Sequence, residues 1–158
     1  MRVVYHFGEE ALKLAGVQNP MQQLKNAISD GSALNKFREM VDAHGGSLES
    51  LDDPNTHKPE YCKKIYAETD GFISSMDTLD LGMAVVHLGG GRLNKEDVLD
   101  PTVGIIFHKK TGDAVNTGEL LLEYFCSDKN KMECSKLSII EAIQINSHLP
   151  EITGLIYR

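Results

Sequence analysis

Leu88-Gly89-Gly90-Gly91-Arg92, followed by Asp97, Asp100 and Val103-Gly104-Ile105 and then by Lys110-Thr111-Gly112-Asp113-Ala114-Val115-Asn116-Thr117-Gly118-Glu119, is the stretch whose reading decides the fold. Glycines at these spacings fit turns that hold short strands together. Val103 to His108 reads as a strand, Gly112-Asp113 as a turn, and Leu120 to Phe125 as a second strand. Just upstream, Asp77 is placed to cap a short helix running to His87, with Asp80 three residues on favouring the same end. Leu79, Met83 and Val86, with Val85 beside them, give that helix its apolar face, and the triple glycine stops it.

Outward from this centre the pattern changes in both directions. Tyr66-Ala67-Glu68-Thr69 and Phe72-Ile73-Ser74-Ser75-Met76 flank Asp70-Gly71, a turn signal between two strands. Beyond the second strand, Met132, Leu137, Ile140 and Ile143 predict one last helix over about 129–146, and Leu155-Ile156-Tyr157 reads as a terminal strand.

The amino-terminal third is helical instead. Val3, Val4, Phe7, Ala11, Leu12 and Leu14 predict a helix from residue 2, ended by Gly16. Asn19-Pro20 restarts the chain with a cap and a first-turn proline, and Met21, Leu24, Ala27 and Ile28 line the next helix up to Gly31. Ser32 is placed to cap a third helix with Leu34, Phe37, Met40 and Val41 on one face, stopped by Gly45-Gly46. Such short helices need a partner surface, and the first has no visible cap, so the chain is expected to start inside a larger architecture. Residues 47–60, with Asp52-Asp53-Pro54-Asn55 and Lys58-Pro59, read as a connection. The expected organisation is a helical segment at 1–46, that connection, and an α+β domain over 61–158.

Bulk chemistry narrows the class. The formal charge is −7 and the lysines are scattered apart from Lys63-Lys64 and Lys109-Lys110, which argues against nucleic acid or an anionic membrane as a partner. Three cysteines, Cys62, Cys126 and Cys134, cannot all pair and form no Cys-x-x-Cys, so reduced thiols packed as small apolar groups are expected. With no long apolar run and no signal-peptide pattern, the expected location is cytoplasmic.

The candidate sites are mostly turns. Gly89, Gly90, Gly91 and Arg92 suit an anion by composition, yet they follow a helix, whose carboxyl end offers carbonyls and a negative dipole end. The preferred reading is a structural turn with Arg92 paired to Asp97 or Asp100. Walker A and dinucleotide fingerprints both fail. Gly112-Asp113-x-Val115-x-x-Gly118-Glu119-x-Leu121 suits the hairpins of a barrel-sandwich domain and resembles the turn of lipoyl- and biotinyl-carrier domains, though no modifiable lysine sits at an equivalent tip. His6, His44, His57, His87, His108 and His148 form no spacing typical of a metal site, and no catalytic triad can be assembled.

Three segments together closely resemble the carboxyl-terminal part of thymidine phosphorylase and related pyrimidine-nucleoside phosphorylases. The first is Ser32-Ala33-Leu34-Asn35-Lys36-Phe37-Arg38-Glu39-Met40-Val41 with Gly45-Gly46. The second runs from Ala67 through Gly71-Phe72-Ile73 and Gly82 to Leu88-Gly89-Gly90-Gly91-Arg92. The third is Asp100, Val103-Gly104, Lys110, Gly112-Asp113, Val115, Gly118-Glu119 and Leu121, and Leu14-Ala15-Gly16 fits the family's preceding helix.

The resemblance implies short helices from the end of a larger α/β domain, then an α+β subdomain with a barrel-sandwich-like strand arrangement. It implies a parent reaction in pyrimidine-nucleoside salvage: a pentosyltransferase that converts thymidine and phosphate to thymine and 2-deoxyribose 1-phosphate, in a homodimer without a cofactor. Phosphate there is a substrate. In the family, a Lys-His-Ser-Thr-Gly-Gly type loop holds phosphate, and an arginine, a serine and a lysine hold the base. None of those motifs occurs in this chain. The expectation is therefore a portion that is inactive alone and partnered by the amino-terminal phosphorylase region or a full-length homologue. Gly71, Gly82, Gly89, Gly90, Gly91, Gly104, Gly112 and Gly118, with Arg92 and Asp113, carry structural roles on that reading. Two alternatives stand beside it: a noncatalytic interaction module and a carrier or ligand-binding barrel.

Overall fold

The computed structural model describes residues 1–49, 53, 58–152 and 154. The expected terminal strand at 155–157, most of the connection around Asp52 to Asn55, and His57 lie outside the described residues. The chain divides into two compact units, Met1–Pro54 together with Gly154–Arg158, and Asn55–Thr153.

Among the described residues, the first unit carries the helices α1 (Arg2–Leu14), α2 (Pro20–Ser29) and α3 (Ser32–Ala43). α1 packs on α2, with Gly8 against the Leu24 methyls, and α2 packs on α3. Two caps differ from the sequence reading. Asn19 takes a left-handed conformation (φ 51°) that withdraws its side chain from the α2 amides. Ser32 is the first residue of α3 rather than its cap, and its N–H donates to the Asp30 carboxylate at 2.9 Å.

The second unit is α+β. Its strands are β1 (Tyr61–Tyr66), β2 (Gly71–Met76), β3 (Gly104–Phe107), β4 (Ala114–Val115), β5 (Leu120–Cys126) and β6 (Ile143–Asn146). Two helices, α4 (Thr78–Val85) and α5 (Lys129–Glu141), lie between them in the chain. One antiparallel sheet has the order β1-β5-β3 and the other β4-β2-β6.

That topology corrects the expected fold class. The barrel-sandwich-like arrangement is not formed: the two three-stranded sheets stay separate and open-edged, and neither curls into a barrel. The physical cause lies at two joints. Asp70-Gly71 does not close a hairpin; β1 and β2 belong to different sheets, and the turn carries the chain from one to the other. Gly118 then sends it back, its N–H donating to the Ala67 carbonyl at 2.8 Å, while Asp70 accepts from the Thr117 amide and hydroxyl.

The second correction concerns the last helix, which ends at Glu141 rather than 146. Ile143-Gln144-Ile145-Asn146 alternates in burial with the period of a strand and pairs with β2, Ile145 opposite Ile73. The buried helix faces also differ from the expected ones. α4 and the turn after it bury Leu81, Ala84 and Leu88, leaving Leu79 72% exposed. α5 buries Met132, Ser135 and Ile139, leaving Leu137 63% exposed. Both pairs of patterns have helical spacing, so periodicity alone did not choose between them.

The core gathers Ile73, Leu88, Leu122, Tyr124, Met132 and Ile139 from both sheets and both helices. β5 explains why this works. As the middle strand of its sheet it buries Leu121, Leu122, Tyr124 and Cys126, and its single charge, Glu123, is only partly buried and paired.

Candidate functional site

The triple-glycine corner is the best-organised polar region of the second unit. Asp77 caps α4 as expected, accepting from the Leu79 and Asp80 amides at 2.9 and 3.0 Å. The helix then widens into a π turn at Val86–Gly90. A π turn spends its amides on carbonyls five residues back, so those amides do not face a ligand. Gly89, at φ 112°, makes the turn possible; its carbonyl accepts from the Asp100 amide at 2.9 Å. Gly90 lies close to Val85 and Val103, and Gly91 close to Val86.

Asp100 ties three segments together. One oxygen accepts from the Thr102 amide and hydroxyl at 2.9 and 2.7 Å, the other from the Ser127 amide at 2.8 Å. Partial burial pushes this carboxyl up, but the Thr102 and Ser127 hydrogen bonds outweigh it and hold the group below its ordinary value. Asp97 accepts from the Asn94 and Leu93 amides at 2.8 and 2.9 Å, and those two bonds lower it in the same way. Both carboxylates are thus committed to backbone amides. Arg92, expected to pair with one of them, is exposed and makes no ion pair with a described residue.

The other sequence-singled residues fall elsewhere in the unit. Gly112, at φ 93°, lies against Ile152, and Asp113 accepts from the Lys110 amide at 2.7 Å to close that turn. Gly104 faces the Phe125 ring, and Gly71 faces the Asn146 carbonyl. Gly82 lies in α4 with open space above its Cα, and Gly118 is likewise open. His87 sits on the π turn beside a small recess that also takes in Asn94, Asp97 and Lys131. Cys126 is buried as expected, whereas Cys62 and Cys134 are exposed.

One cluster escaped the sequence reading. Glu123 on β5 lies 3.6 Å from Lys64, 3.2 Å from His108 and 3.7 Å from the Cys62 thiol, which donates to it. Strand register brings them together, since Lys64 pairs with Glu123 across β1 and β5. The arrangement is not a nucleophile. Burial and the Glu123 carboxylate both push the Cys62 thiol up, away from the thiolate that attacks. Among the described residues, no group of three metal-binding side chains could hold an ion. The described residues form a turn-rich α+β scaffold whose Asp97 and Asp100 carboxylates are taken up by backbone amides.

That class of scaffold has a known counterpart. Residues 72–146 match the model of the pyrimidine nucleoside phosphorylase C-terminal domain. Pyrimidine-nucleoside phosphorylase of Geobacillus stearothermophilus is 33% identical over 148 residues, covering 93% of this chain and 34% of that protein. Residues 72–146 thus correspond to the C-terminal domain of a pyrimidine-nucleoside phosphorylase family protein. The chain spans about a third of the length of the curated relative it matches. No described helix is long and apolar enough to cross a membrane.

Proposed function

We propose that this chain supports pyrimidine-nucleoside phosphorolysis without performing it alone. The observation that carries the reading is the 33% identity running over 93% of the chain, in a sequence that contains neither the phosphate loop nor the base-holding motifs of the family. In the parent reaction, phosphate and base must be held on either side of an oxocarbenium-like sugar, and such positioning supplies much of the rate. Residues 61–158 act as the wall that steadies that cleft, and the 1–46 helices close the larger α/β domain. The glycine turns, with Asp113, set the shape of the wall rather than contact substrate. The partner is an amino-terminal phosphorylase region, in a cytoplasmic homodimer with no cofactor.

The test is direct. Purified chain is incubated with thymidine or uridine and phosphate, and released base is followed by chromatography. No base is expected from the chain alone, and base is expected once a phosphorylase core is supplied. Turnover by the chain alone would overturn the reading. The interaction-module alternative shares the missing chemistry and is separated from it only by that second arm. The carrier-barrel alternative has lost its fold.

A further inference from the structure

A cavity of about 460 Å³ in the second unit is lined from both of its sheets. β1 and β5 supply Ile65 and Leu121, Ala67 follows β1, β6 supplies Ile143 and Ile145, and α5 supplies Ile140. Ile65, Ala67 and Leu121 are buried, while the other three are only partly buried although they pack against the core. A small closed barrel fills its interior with side chains; two sheets that stay separate leave this space between them. Its volume lies within the range of about 300–1,000 Å³ common to small-molecule sites. The wall is aliphatic. Among the described lining residues Tyr66 is the only aromatic, and it is 49% exposed.

Charge at the same cavity runs against that of the chain. Lys64, Lys136 and Glu68 line it, two ammonium groups against one carboxylate, in a chain of formal charge −7. Lys64 lies 3.6 Å from Glu123, which His108 also approaches. Lys136 makes no ion pair with a described residue, and the carboxylate one turn before it, Glu133, is bonded to Lys63. We propose that this cavity binds a medium-chain aliphatic carboxylate, with the chain against the isoleucines and the head at Lys136. Burial of the chain supplies the attraction, and the charged head supplies the orientation. A chain ending in an ammonium group would meet Lys64 and Lys136 instead. Nothing in this assignment depends on the phosphorylase reading, and base release is not used to test it.

In the experiment, decanoate is titrated into the 158-residue chain labelled on its isoleucine and leucine methyls, with decylammonium in a parallel arm. Saturable shifts are expected at Ile65, Leu121, Ile140, Ile143 and Ile145, with a Kd below about 1 mM. The methyls of Leu14 on α1 and Leu34 on α3 should stay in place. Decylammonium should bind at least about tenfold more weakly, and Lys136→Glu should weaken decanoate about tenfold. Lys95→Glu, exposed and outside the cavity, should change neither. The thermal transition of each variant checks its fold. A titration that does not saturate overturns the proposal, as do equal affinities for the two amphiphiles or shifts centred on Leu14 and Leu34. An unaltered decanoate affinity in Lys136→Glu removes the head site and overturns it as well. Shifts at the same isoleucines on raising the protein concentration without decanoate would make a second copy the occupant, and would also overturn it.

Discussion

The two units of this chain are built from similar raw material and reach opposite outcomes. Both contain short helices of about three turns, α1 and α3 in one and α5 in the other. α5 buries Met132 and Ile139 against the strands and α4, whereas α1 and α3 bury nothing. The difference is not propensity. It is whether two sheets are present to receive the apolar face, since tertiary packing supplies most of a helix's stability. The first unit reads as half of an interface, the second as a finished core.

Substitutions can break or sharpen that contrast. The largest effect is expected at Leu122, fully buried at the centre of β5: Leu122→Ala should cost about 2–5 kcal/mol in the unfolding of the sheet unit, read from denaturant midpoints. Next comes Gly89→Ala. A φ of 112° disfavours any side chain, and the added methyl would also approach the Lys131 Nζ at 3.3 Å, so a loss of about 1–3 kcal/mol is expected by the same measurement. A loss below about 0.5 kcal/mol there would mean the turn relaxes freely.

Acid should also act on the second unit. Asp70, Asp97, Asp100 and Glu119 are all held below their ordinary values by hydrogen bonds made in the fold, with Lys109 contributing most at Glu119. A carboxylate with a depressed folded value contributes stability that is present above its unfolded value and lost as pH falls through the folded one. Stability of the sheet unit should therefore hold near neutrality and decline below about pH 4. Asp100→Asn should flatten that decline, and an unchanged slope would remove Asp100 from the account.

A smaller change of opposite sign is expected at Tyr124. Its hydroxyl is buried without a hydrogen-bond partner among the described residues, and burial, aided by Glu133, pushes it up to about 12. Tyr124→Phe removes an unsatisfied group and should be neutral or stabilising by about 1 kcal/mol. A marked loss would mean the hydroxyl has a partner. The smallest effect belongs to the first unit: Phe37→Ala in the isolated chain should change stability by no more than about 0.5 kcal/mol, because little is buried there to lose.

Part of this was legible in the sequence, and, the misread Asn19 and Ser32 caps aside, the failures share a cause. Capping and turn chemistry act locally, so Asp77 before α4, Pro20 at the start of α2 and Gly89 at the corner could be placed from neighbouring residues alone. What depends on distant chain could not. Leu79 and Met83 fit a helical stripe as well as Leu81 and Ala84 do, and only the packing of α4 on α5 selects the latter. Ile143-Gln144-Ile145 carried a period-two signal that was absorbed into the helix before it, because its partner β2 lies some seventy residues earlier. The barrel expectation failed for the same reason: local glycine turns do not say which sheet the next strand joins. At the candidate site, Asp97 and Asp100 read as ion-pair partners for Arg92. Their commitment to amides of residues 93, 94, 102 and 127 became visible only in the fold.

Amide hydrogen exchange on the isolated chain tests the central contrast most directly, since it reports local opening residue by residue. The account predicts that β5 and α5 exchange last, with protection set by global unfolding of their unit, and that α1 and α3 exchange far faster. Protection in α1 and α3 equal to that of β5 would contradict it. The helices would then need no further surface to cover their apolar faces.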